Sequence, residues 1–159
     1  MFPNAKASEM LTILATLDPA SQAAGTATTG WISVANHHGL MASVQSGALG
    51  ASATLDAKFQ QALDSSGTGA KDITGKDITG KDNTNKAITQ LTQAASGSNR
   101  QVLINLKPEE LDTVNGFGFV RLSLTVGVAP SLTSAQLIGV NPRYAPADSL
   151  NQAAVAQIV

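Results

Sequence analysis

Ala53-Thr54-Leu55-Asp56-Ala57-Lys58-Phe59-Gln60 alternates, residue by residue, between apolar and polar side chains. A strand projects successive side chains to opposite faces, so this period of two places Ala53, Leu55, Ala57 and Phe59 in a core and Thr54, Asp56, Lys58 and Gln60 in water. Towards the C-terminus, Phe119 to Val126 repeats the pattern, with Val120, Leu122, Leu124 and Val126 on one face and Phe119, Arg121, Ser123 and Thr125 on the other. Each such strand needs a second layer to cover its apolar face.

The chain supplies that layer as more strands. Trp31-Ile32-Ser33-Val34, Leu40 to Gln45, Ala87 to Leu91, Gln101 to Leu106 and Ala135 to Val140 all read as extended segments, with Trp31 as a core anchor. Asn36-His37-His38-Gly39 and Asn115-Gly116 are turn signals, and Pro108 followed by Glu109 and Glu110 suits a single helical turn. About seven or eight short strands with Gly-rich turns and no long helical period predict an all-β fold, an antiparallel β-sandwich of jelly-roll type.

Composition divides the chain further. Residues 1–29 and 145–159 are rich in Ala, Ser, Gln and Pro and carry few charges, so they read as arms flanking a sandwich domain at 30–144. The N-terminal arm holds one short strand or helical turn at Leu11 to Leu17. Segments of this kind become ordered by adding a strand to a neighbour, which makes Leu11, Ile13 and Leu14 at one end, and Val155 and Ile158 at the other, candidate interface residues. Arg143 and Tyr144 join them, since an arginine and an aromatic in a proline-bounded stretch are interface anchors; capping the end of the sandwich in cis is the alternative.

Between Lys71 and Asn85 the sequence stammers. Lys71-Asp72-Ile73-Thr74-Gly75 is followed by Lys76-Asp77-Ile78-Thr79-Gly80 and a degenerate Lys81-Asp82-Asn83-Thr84-Asn85. The period is too short for a solenoid, so 71–85 reads as a loop insertion of solvated turns. A cation site on Asp72, Asp77 and Asp82 is the alternative, but carboxylates five apart lack the alternation of a calcium loop.

The 159 residues suffice for one well-cored domain and are short for two. Ten Lys and Arg against eleven Asp and Glu give a formal charge of −1, which offers no basic excess for nucleic acid. Charged residues are 13% of the chain, about half the usual share, as suits a surface packed against neighbours. Without cysteine there is neither a disulfide nor a thiolate metal site. Met10 to Leu17 is a poor signal peptide and no segment is long and apolar enough to span a membrane, so synthesis in a host cytoplasm is expected.

Catalytic motifs are missing from the sequence. No Gly-x-Ser-x-Gly elbow or phosphate loop occurs, and adjacent His37 and His38 on a strand would point to opposite faces and could not share an ion. Glu109, Glu110 and Asp112 are the candidate paired carboxylates, read as residues of a surface turn. One Trp, one Tyr and four Phe are too few for a glycan platform. The reading is therefore a non-enzymatic protein that needs no cofactor and no metal.

Gly30-Trp31-Ile32-Ser33, Val44-Gln45-Ser46-Gly47-Ala48, Ala53 to Ala62, Ser66 to Lys71 and Lys86-Ala87-Ile88-Thr89 resemble uncharacterised proteins encoded among the head genes of tailed phages and prophages. The similarity continues through Leu111-Asp112, Asn115-Gly116-Phe117, Val120-Arg121 and Pro142-Arg143-Tyr144, and against it the pentapeptides look like an insertion. The resemblance implies a virion structural role: a head decoration or cement protein bound to the major capsid protein. Self-association into a homo-oligomer is a separate expectation. A head-to-tail or tail component is the alternative. A carbohydrate-binding sandwich, dependent on Trp31 or Tyr144, is a third reading.

Overall fold

A computed structural model describes residues 4–74, 85–144 and 146–159. Among the described residues, ten strands form two antiparallel sheets: β1 (Leu11–Gln22), β2 (Gly25–Thr28), β3 (Ile32–Ser33), β4 (His37–Ser46), β5 (Thr54–Ala62), β6 (Lys71–Asp72), β7 (Leu91–Thr92), β8 (Gln101–Leu106), β9 (Phe119–Gly127) and β10 (Ser131–Pro142). One sheet has the order β1-β10-β4-β8. The other has the order β2-β9-β5-β6, with β3 also on β9 and β7 also on β5. The fold is an all-β antiparallel sandwich, as the alternation predicts.

Its core lies between the inner faces. Leu55, Ala57 and Phe59 of β5 and Val120, Leu122, Leu124 and Val126 of β9 are buried together with Leu40, Ala42 and Val44 of β4, Ile104 and Leu106 of β8, and Ala135 and Leu137 of β10. Phe59 is completely buried, and such burial contributes about 1.5 to 3 kcal/mol relative to exposure. On β5 and β9 the inward residues are those the sequence assigns inward, because both strands run nine residues without a register shift against each other.

Several boundaries differ from expectation. The segment expected as an N-terminal arm is woven into the sandwich: β1 pairs with β10 along its length, and β2 pairs with β9. Two register shifts in β1, between Ile13 and Ala15 and between Leu17 and Ala20, put two residues of one face in succession and so erase the alternation. The C-terminal stretch also docks in cis, since Gln152 N–H donates to Ile13 O at 2.9 Å and Ala147 is fully buried. Trp31 is half-buried rather than central; Arg121 stacks on its ring at 4.5 Å. Ala87 to Leu91 contributes a single bridge, Lys58 to Ala87, and the start of the two-residue β7.

His37 and His38 do not form a turn. They open β4, and His37 is 1% exposed. The expected helical turn is present at Pro108–Glu110, and Gly116 closes the next one at φ 82°, a conformation glycine adopts without strain.

The pentapeptide insertion leaves the sandwich from a fixed base. Ile73 is buried, its N–H donates to Phe59 O at 3.3 Å, and Lys86 N–H donates to Ile73 O at 3.1 Å. Asp77 and Asp82 lie outside the described residues. Asp72, the third carboxylate of the alternative cation site, is occupied by Lys58 Nζ at 2.6 Å and Gln60 Nε2 at 2.7 Å. Burial would raise its pKa, but these two hydrogen bonds and the lysine charge bring it below the ordinary range.

Deleting Lys76 to Asn85 would leave Ile73-Thr74-Gly75-Lys86. With the Lys86 N–H to Ile73 O bond kept, this is a β-turn with glycine at its third position, as a type II turn requires. The deletion should keep the melting temperature within about 4 °C of the parent, roughly the effect of 1 kcal/mol in a chain of this size. Ile73→Ala, by contrast, should cost about 2 to 5 kcal/mol because it empties a buried site. Thermal melts of both variants check this, and a deletion that destabilises as much as Ile73→Ala would overturn it.

Candidate functional site

The two outer faces of the sandwich differ in chemistry. On the six-stranded sheet, Asp56, Lys58 and Gln60 of β5 stand beside Ser123, Thr125 and Arg121 of β9. They are interlinked: Lys58 holds Asp72, Arg121 Nε donates to Gln60 Oε1 at 2.8 Å, and Gln90 Nε2 donates to Asp56 at 2.7 Å. This face satisfies its own charges.

The outer face of the four-stranded sheet carries a row of apolar side chains. Ile13 of β1 lies opposite Ile138 of β10, which lies opposite Met41 of β4, and Leu11 lies opposite Val140. Val140 also covers Gly39 of β4, where a Cβ would meet it at 2.9 Å. Beyond this row come Thr16, Gln136, Ser43 and Leu103, then Ser134, Gln45 and Gln101, all uncharged. Leu103 is 58% exposed. Beside the second shift of β1 a shallow groove of about 310 Å³ opens between Pro19, Ala20, Gln45, Ser134 and Leu132.

Sequence reasoning placed Leu11, Ile13 and Leu14 together as one interface. The structure puts Leu11 and Ile13 on this face, but Leu14, at the first register shift, packs against the core. Arg143 and Tyr144 follow β10, and Arg143 N–H donates to Asn36 O at 2.8 Å. Tyr144 is 75% exposed. Val155 is half-buried beyond the contact of Gln152 with β1, and Ile158 is exposed. Met41, Ile138, Val140 and Leu103 were not singled out. The alternation Met41, Ser43, Gln45 against Leu40, Ala42, Val44 contained the signal for the first of them.

The edge of this sheet at β1 is closed by a polar chain. Thr12 Oγ1 donates to Ala147 O at 3.1 Å, so it accepts from His37 Nε2 at 3.0 Å, which places the imidazole proton on Nε2. Nδ1 is buried without a partner among the described residues. The ring lies against Gly139, where a Cβ would come within 2.5 Å of it. Burial lowers the pKa of His37, because a second proton would sit on Nδ1 with no acceptor.

The carboxylates are structural. Asp112 is 5% exposed and receives Lys71 Nζ at 2.8 Å and Asn115 Nδ2 at 2.9 and 3.0 Å, while its N–H donates to Gln61 Oε1. The Lys71 and Asn115 hydrogen bonds hold it below the usual carboxylate range, the opposite of a general acid. Glu110 accepts from Lys86 Nζ at 2.8 Å. Together these pairs tie both ends of the insertion to the turns after β8. Among the described residues, no group of three His, Asp or Glu is placed to hold a metal ion, and no helix is long and apolar enough to cross a membrane.

No protein-family profile and no curated protein matches the chain. Solved structures with a similar course include a chain of Triatoma virus, 9% identical over 91% of this chain and 70% of that one, at a TM-score of 0.47. A chain of infectious bursal disease virus Gt strain is 11% identical at a TM-score of 0.41; 87% of this chain spans only 34% of it. The CBM22-1 xylan-binding domain of Paenibacillus barcinonensis Xyn10C is 17% identical over 82% of both chains at a TM-score of 0.37. All three TM-scores are below 0.5, and function is argued from the surfaces above.

His37 should make stability fall with acid. Its folded pKa lies below 6.5, so the unfolded chain binds the extra proton first, and stability is lost as pH drops below 6.5 towards the folded value. The carboxylates Asp72 and Asp112 have pKa values below 3.8 and contribute their loss only at lower pH. The melting temperature at pH 5 should therefore lie below that at pH 7, and His37→Gln should reduce the difference whatever its effect at pH 7. An unchanged difference in the variant would overturn the assignment.

Proposed function

We propose that this chain is a non-enzymatic structural protein of a tailed-phage virion, a head decoration protein that lays the outer face of its four-stranded sheet on the major capsid protein. The observation that carries the reading is the partition of charge between the two faces. A surface of Leu11, Ile13, Met41, Ile138, Val140 and Leu103, bordered by amides and hydroxyls and by Asp18 at its β1 margin, gives up little ion hydration when covered, whereas the opposite face would have to bury Lys58, Asp56 and Arg121. The sequence resemblance to head-gene proteins, which runs through both sheets, supports the same reading.

A glycan-binding role has less support. Trp31 is flanked by Arg121 and by Gly67, where a Cβ would come within 2.4 Å of its Nε1, so the ring is not free to stack on a sugar. Tyr144 is exposed but stands at a distance in sequence and has no second aromatic beside it in the 143–146 stretch.

Mass spectrometry of particles from the encoding genome is the direct test. A decoration protein should occur in a fixed ratio close to that of the major capsid protein; a far smaller amount would assign it to the neck or tail, and absence would refute a virion role. On undecorated capsids, Met41→Lys and Ile138→Lys should abolish binding while circular dichroism stays unchanged. Lys58→Ala on the other face should bind as the parent does. The reverse pattern would move the docking face to the six-stranded sheet.

A further inference from the structure

We infer that β8 is a self-pairing edge, and that two copies of this chain join through it into one continuous sheet. The inference stands apart from the virion reading and rests on how the sheet edges end. The edge at β1 is broken by two register shifts, carries Asp18 and Pro19, and is covered by the C-terminal stretch through Asn151 and Gln152. In the six-stranded sheet, β2 has four residues and β6 and β7 have two each. Short strands, bulges, proline, charge and covering segments are the devices by which a sheet avoids pairing with another chain.

β8 has none of them. Gln101-Val102-Leu103-Ile104-Asn105-Leu106 contains no charge, proline or glycine, and it pairs with β4 without a shift over all six residues. Its free groups follow from the ladder. Ser46 N–H donates to Arg100 O at 2.8 Å, one step beyond the Gln45 to Gln101 pair. Hydrogen-bonded pairs alternate in an antiparallel ladder, so Val102, Ile104 and Leu106 direct their N–H and C=O groups to β4. Gln101, Leu103 and Asn105 direct theirs outward, where no backbone partner meets them among the described residues. The same rule predicts that Ile13 faces away from β10, and its N–H and C=O are indeed the groups bonded to Asn151 and Gln152.

A second copy is the occupant that this edge fits. A two-fold axis perpendicular to the sheet and passing through Leu103 sets Leu103 opposite itself, Gln101 opposite Asn105 and Val102 opposite Ile104. Apolar then meets apolar and amide meets amide. In this register the three outward donors and three outward acceptors of each copy are all satisfied, since each outward residue exchanges both its bonds with its opposite. Moving the axis to Val102 or Ile104 sets Leu103 against Gln101 or Asn105 and loses the match. The flanking cations do not oppose each other in the favoured register: Arg100 falls opposite Leu106 and its Nε is turned back to Ser96 O at 3.0 Å, while Lys107 falls opposite Asn99. Such an isologous pair presents the outer faces of both four-stranded sheets on the same side.

Sedimentation of the full chain over a concentration series tests the pairing. The parent should sediment as a dimer. Leu103→Lys, which places two ammonium groups face to face on the axis, should sediment as a monomer, as should Leu103→Glu. An equimolar mixture of the two variants should regain the dimer, because only a register with Leu103 opposite itself pairs Lys with Glu. Should either variant misfold by circular dichroism, hydrogen exchange on the parent gives the same answer: the amides of Gln101, Leu103 and Asn105 should gain protection as concentration rises. A monomeric parent, a dimer indifferent to both variants, a mixture that stays monomeric, or amides whose exchange ignores concentration would each overturn the inference.

Discussion

The pairing of β10 with β1 on one side and β4 on the other is the constraint on which the rest of the structure depends. β10 brings the N-terminal segment into the sheet, because Leu11 to Gln22 forms its main-chain ladder with it. Closure of this strand against two neighbours is also what permits a buried histidine: Gly139 on β10 lacks a Cβ, so the His37 ring occupies the space and reaches Thr12 across the strand. A side chain at 139 would push the ring away and strip Thr12 of its donor. The hydroxyl of Thr12 then continues the chain to Ala147, so the C-terminal stretch is held by the same contact that closes the sheet. Long-range closure of this sort gains little until the hydrogen bonds of both ladders are in place.

That closure also explains which parts of the fold were legible in the sequence. β5, β8 and β9 were readable because each runs without a shift, so the period of two survives in the residues. β1 was not, since its shifts at Leu14 and at Asp18-Pro19 leave Thr12, Ala15 and Leu17 as an irregular series of inward residues. Composition then argued for an arm, and the main-chain ladder with β10 overrode it. His37 was lost for a related reason: Asn, His and Gly in succession describe a turn locally, and only the glycine on a strand a hundred residues later makes room for the ring. Of the residues expected at an interface, Leu11 and Ile13 lie on the outer face of the four-stranded sheet, while Leu14 shows how one inserted residue sends a neighbour to the opposite side.

The ionic groups of this chain do structural work at the seams between segments. Lys71 with Asp112 and Lys86 with Glu110 fasten the two ends of the pentapeptide insertion to the turns that follow β8. The first of these is hydrogen-bonded on both carboxylate oxygens by Asn115 as well, and the lysine also lies 4.5 Å from the Phe117 ring. A low share of charged residues is thus concentrated where a long insertion enters and leaves, and on one outer face. The other outer face carries mainly apolar groups, amides and hydroxyls, with Asp18 at its β1 margin.

A face poor in charge and an undefended edge on the same sheet have a common physical consequence. Each exposes groups whose desolvation is cheap in charge but whose isolation in water is unfavourable, apolar side chains in the first case and unpaired peptide groups with Leu103 in the second. Pairing through β8 would join two copies, because a two-fold contact consumes that edge and the β1 edge of each copy is covered by the C-terminal stretch. What remains exposed after pairing is the outer face of the four-stranded sheet, now contributed by two copies and carrying Leu11, Ile13, Met41, Ile138 and Val140 from each.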